Sequence, residues 1–148
     1  MNSKEKLFWS IAFPGFGQFL NGKYIKGIVL LILEFLVNMR SNFNSIIIFS
    51  FHGEIGKAID QADFQWLMFY PCIYFFSIWD AYKDAGGGKE PYSFLPFAFT
   101  AYFVTLGVIF STKIRFFGVL LGPIWLPMIS VIPGVLTGFL LKKILAAK

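Results

Sequence analysis

The chain has 148 residues, of which 57% are hydrophobic and only 14% charged, where a soluble domain averages about 25% charged residues. Twenty Phe, four Trp and a mean hydropathy of +0.67 leave too little polar surface to coat a water-exposed globule of this size. A single Cys excludes a disulfide-stapled module, the apolar content excludes a disordered chain, and a charge of +5 spread between apolar runs argues against nucleic acid as a partner.

The first apolar run, residues 7–20, is interrupted by Pro14-Gly15. A run of roughly 10–14 residues reads as re-entrant or interfacial, or as a signal-peptide core, rather than as a full crossing. Lys4 and Lys6, with small residues at Gly15-Phe16-Gly17, also fit a signal peptide, although the apolar stretch ahead of Gly15 is short for one. Pro14, Gly15 and Gly17 permit a tight reversal, and Gln18 and Asn21 can satisfy the backbone groups that a reversal exposes at lipid depth. Gly22 and Gly27 then let the returning helix approach its neighbours.

Residues 25–39 read as a membrane span bracketed by Lys26 and Arg40, both of which must snorkel. The connection over residues 40–63 is the longest hydrophilic stretch and is expected outside the cytoplasm. Within it Ile55, Ile59 and Ala62 recur at i, i+4, i+7 opposite Glu54, Lys57, Asp60 and Gln61, the pattern of a short helix lying on the membrane surface. Residues 64–79, between Asp63 and Asp80, form the next span. A cytoplasmic loop over residues 81–93 carries the Gly86-Gly87-Gly88 hinge, which is no phosphate cradle because Glu90 follows Lys89.

Residues 95–111 and 116–141 complete the set. The last contains no ionisable residue, and as a helix at about 1.5 Å per residue it exceeds the ~30 Å hydrocarbon core. Pro123, Pro127 and Pro133 predict that it is kinked or broken. The pairs Gly118/Gly122 and Gly134/Gly138 have small-xxx-small spacing, which permits close helix packing. The expected architecture is an all-α integral membrane protein forming one polytopic domain: a Pro/Gly-broken N-terminal re-entrant hairpin and about four transmembrane helices. With that arrangement nine of the thirteen Lys and Arg residues fall on one side, which by the positive-inside rule puts both ends of the chain in the cytoplasm of a multi-pass cell-membrane protein.

Few residues promise chemistry. Glu34 sits well inside a predicted span, where an ionised carboxylate costs at least ~2.5 kcal/mol, and Asn38 lies one turn further along the same face. That pair reads as a packing lock or as an intramembrane polar site for a proton or cation. Asp80 is placed either to pair with Lys23 or Lys26 or to stand as a solvated helix end. His52, Cys72 and the scattered Ser residues show no catalytic or metal-ligating spacing, so neither enzymatic activity nor a cofactor is expected.

The Phe13–Gly27 stretch resembles the Pro-Gly-x-Gly-Gln-x-Tyr-Asn-Gly…Lys-Gly signature of many small bacterial multi-pass membrane proteins, loosely akin to the TM2-domain group, with Leu20 in the Tyr position. Trp79–Ala85, which contains Asp80 and Tyr82, is similar to the Asp-Ala-Tyr…Ala that follows a later span in such proteins. The resemblance implies a membrane protein and no particular activity. The expectation is therefore a non-enzymatic accessory or scaffold protein that packs against lipid and against a membrane-protein partner or a second copy of itself. The alternative is a small transporter or channel with a polar site at Glu34 and Asn38.

Overall fold

The computed structural model describes residues 1–147, and they are mostly helical. Helix α1 (Ser3–Ala12) opens with a capping box, in which the Asn2 side chain accepts from the Glu5 amide while the Glu5 carboxylate accepts from the Asn2 amide. The chain then reverses through Pro14-Gly15, with Gly15 at φ +99°, into the short α2 (Phe16–Leu20). α3 (Tyr24–Ser41) ends at Asn42, whose left-handed backbone starts α4 (Phe43–Phe51) directly. α5 (Ile55–Gln61) follows, then α6 (Phe64–Leu67), capped by the Asp63 carboxylate accepting from the Gln65 and Trp66 amides. α7 (Tyr70–Asp84) and α8 (Leu95–Phe110) each carry a Pro in the first turn, where no amide donor is required. Two short antiparallel strands, β1 (Arg115–Phe116) and β2 (Val119–Leu120), precede α9 (Gly122–Ala146).

α8 and α9 form the most extensive helix pair, with α7 against the other side of α8. Their close approach rests on glycine. A Cβ on Gly134 would stand 2.7 Å from the Thr100 Cα, one on Gly138 would collide with Pro96, and one on Gly107 would stand 2.8 Å from the Pro127 Cα. At one end of this pair the cluster Ile46, Ala58, Leu67, Val108 and Ile124 joins α4, α5, α6, α8 and α9. At the other end α1 and α2 pack on α7, and α3 lies along the outside against α2, α6 and α7.

This architecture corrects the expected one. Among the described residues only α9 is both long and apolar enough to cross a membrane, and four transmembrane helices are not present. Each other expected span fails for its own reason. α3 carries three charged residues, Lys26, Glu34 and Arg40, in 18 positions. Residues 64–79 are not one helix, because a two-residue turn at Met68-Phe69 separates α6 from α7. α8 is apolar but has 16 residues, about 24 Å of helix against a ~30 Å core. The all-α expectation also fails at the hairpin, which occupies the start of the expected 116–141 span. Within α9, Pro127 and Pro133 neither break the helix nor end it. The helix over residues 55–61 is real, but it docks into the bundle through the fully buried Ala58, with Ile55, Ile59 and Ala62 half-buried.

Candidate functional site

The N-terminal reversal docks on the C-terminal half of α7, and each polar residue of the Pro14–Asn21 stretch has a defined partner there. Pro14 is fully buried. The Gly15 amide donates to Ser77 Oγ at 3.3 Å. Its left-handed φ and its position against α3, where a Cβ would lie 2.8 Å from the Gly27 carbonyl oxygen, both demand glycine. The Gln18 amide nitrogen donates to the Ser77 carbonyl at 2.9 Å and to Asp80 Oδ2 at 3.0 Å, while its Oε1 is buried without a partner. Asn21 donates to the Ala81 carbonyl at 2.7 Å and accepts from Lys6 Nζ at 2.9 Å. A Cβ on Gly17 would lie 2.6 Å from that of Ala81, and one on Gly27 would lie 3.0 Å from the Phe19 ring. Gly22 supplies the left-handed residue that ends the reversal.

Charge completes the clasp. Lys26 Nζ bridges Asp80 Oδ1 at 2.7 Å and Asp84 Oδ2 at 2.8 Å. Hydrogen bonds to these two carboxylates hold the Lys26 ammonium above its ordinary value, against a smaller opposing effect of burial. Of the two partners expected for Asp80, the structure therefore selects Lys26. Tyr82 lies at the edge of the clasp, where its ring covers Gly87 and sits beside Trp79 and Phe97.

Glu34 and Asn38 are not brought together. The Glu34 carboxyl is 4% exposed, its Oε2 has no partner, and its polar neighbours are the Tyr70 and Tyr74 hydroxyls. Tyr74 donates to the Ile11 carbonyl at 2.6 Å and stacks on Tyr70. Asn38 instead donates to Asn44 Oδ1 at 3.2 Å, across the turn into α4. The paired glycines also separate. Gly134 and Gly138 make the α8–α9 contact, whereas Gly118 is the open turn of the hairpin and only Gly122, at the start of α9 against Ile55 of α5, meets another helix.

Ser77, Asp84, Tyr70, Tyr74 and Gly107 were not singled out from the sequence. A signal existed for two of them, since Ser77, Asp80 and Asp84 recur at i, i+3, i+7 on one stripe of α7. Among the described residues no group of three His, Cys, Asp or Glu could hold a metal ion. No family model matches the chain, and neither does any curated protein or solved structure.

Proposed function

We infer that the chain is a non-enzymatic accessory or scaffold protein of the cell membrane, with α9 crossing the bilayer and the other helices gathered around it. The observation that carries this reading is apolar exposure. On α3 the side chains of Ile25, Ile28, Val29, Ile32, Phe35 and Met39 all lie open, and on α9 Met128, Ile132, Leu136, Phe139 and Leu140 do so. Only 28% of the apolar window of α9 is buried within the chain. Contiguous faces of this kind are found where lipid or another protein covers them. The resemblance of Phe13–Gly27 and Trp79–Ala85 to small bacterial multi-pass proteins supports the same reading.

We place the C-terminal end of α9 on the cytoplasmic side of the membrane. In support, Lys6, Lys26 and Lys142 gather at one end through their contacts with Asn21, with Asp80 and Asp84, and with Glu90, while Arg40, Lys57, Lys113 and Arg115 belong to other segments. Crosslinking in native membranes followed by isolation in mild detergent tests the accessory role. A reproducible partner or a second copy is the expected result, and a solitary chain contradicts it.

The buried, unpartnered oxygen of Glu34 favours a second reading, a small transporter or channel whose polar site is Glu34, with Asn38 near the same helix end. On that reading, Glu34→Gln protein reconstituted in vesicles loses flux. An unchanged flux across protons and monovalent cations rejects it.

A further inference from the structure

A groove of about 610 Å³ runs between α3 and α7, within the range of ~300–1,000 Å³ that ligand sites occupy. Ile25, Val29 and Leu33 form one wall, and Cys72, Ile73 and Phe76 the other. Its polar end is fixed by Lys26 and Asp80, and Cys72 stands eight residues earlier on α7, about 12 Å along the helix axis. The groove is thus an apolar slot with a charged mouth, the shape of an amphiphile.

The mouth also has a chemical preference. Lys26 Nζ has three donors, and two are committed to Asp80 Oδ1 and Asp84 Oδ2. Asp80 Oδ2 is occupied by the Gln18 amide. One ammonium facing two carboxylates leaves one negative charge uncompensated. Among the described residues, no donor reaches the second oxygen of Asp84, which belongs to a partly exposed side chain. The free acceptor calls for a charged N–H donor, and the remaining N–H of Lys26 suits a phosphate oxygen. A quaternary ammonium has no N–H to give, and a headgroup of net negative charge meets the surplus carboxylate.

The geometry points to a lipid-binding site in which one acyl chain of a net-neutral aminophospholipid lies between α3 and α7 and its primary ammonium pairs with Asp84. This rests on the membrane reading given above. The only Cys of the chain reports on it, since Cys72 is exposed within the groove.

The test is the rate of Cys72 alkylation by a small maleimide. The full chain is held in detergent with added phosphatidylethanolamine, phosphatidylcholine or phosphatidylglycerol carrying identical acyl chains. Phosphatidylethanolamine should slow alkylation roughly tenfold relative to phosphatidylcholine, as one charge-assisted hydrogen bond implies. Asp84→Asn should abolish that difference. Equal protection by all three lipids, strongest protection by phosphatidylglycerol, or no protection overturns the site. The wild-type comparison alone decides the matter if the variant fails to fold. Sedimentation of the chain with membranes is read separately. A sedimenting chain that does not discriminate headgroups overturns the lipid site alone, whereas a chain that leaves the membranes overturns the membrane reading and the site with it.

Discussion

Gln18 has no solvent exposure, yet its amide nitrogen serves two acceptors, the Ser77 carbonyl and Asp80. Truncating it to Ala strands a buried carbonyl and should cost about 1–3 kcal/mol, read as a lower midpoint of thermal unfolding in detergent with no change in fold. Lys26 gives the clasp a pH dependence of defined sign. Its folded value is raised above the ordinary 10.5 by Asp80 and Asp84. The stabilisation is therefore fully present at neutral pH and is lost as pH rises past 10.5 and through the raised value. Unfolding midpoints should fall over that alkaline window, and Lys26→Met should flatten the fall. Phe117 offers the opposite case: it is fully exposed with φ +48° at the first position of a two-residue turn. An L-residue there carries about 1–2 kcal/mol of strain that Asn tolerates better. Phe117→Asn should be neutral or stabilising in detergent, and a loss of stability would show that the ring makes contacts of its own. The clasp was readable in part because Pro, Gly, Gln and Asn have specific conformational and hydrogen-bonding uses within an apolar run. Its partner Ser77 was marked only by sharing a stripe of α7 with Asp80 and Asp84, because a small hydroxyl in a helix does not by itself show what approaches it.

At the scale of elements, hydrophobicity alone misplaced two boundaries. The run 116–141 is uninterrupted by charge, but Phe117-Gly118 turns the backbone into a hairpin, and an apolar count cannot distinguish a two-residue turn from helix. The run 64–79 divides at Met68-Phe69 without Gly at the break. The local signs were the Asp63 cap and Pro71 in the first turn of the next helix. The prolines of α9 do not break its helix. Pro123 lies in the first turn, and Pro127 and Pro133 are accommodated in a helix packed closely against Gly107 and the α8 backbone. The spacing of Gly134 and Gly138, in contrast, was legible, and it makes a direct prediction. Gly138→Leu places a side chain where Pro96 stands and Gly134→Leu places one against Thr100. Each should cost at least about 1–3 kcal/mol through overpacking and should weaken the α8–α9 pairing, measured as protease sensitivity in the loop over residues 111–121. Gly118→Ala meets no atom within 4 Å and should leave that pairing intact.

At the scale of the whole molecule, the composition pointed to lipid-like surroundings but could not say how many helices are long and apolar enough to cross them. An apolar residue that faces lipid and one that faces a neighbouring helix look alike in sequence. Length decides between them only where, as in α9, 25 residues continue in one helix. Charged residues removed α3 from the crossing set, and a turn between α6 and α7 and a short length removed the segments on either side of the loop after α7. What remains is a chain with one helix long and apolar enough to cross a membrane, an N-terminal clasp docked on α7, and an open apolar face on α3. The most direct measurement is the fate of the full chain when cell membranes are washed with alkaline carbonate. Retention in the pellet, with release only by detergent, is the predicted result. Recovery in the supernatant as a monodisperse protein without detergent would contradict the account.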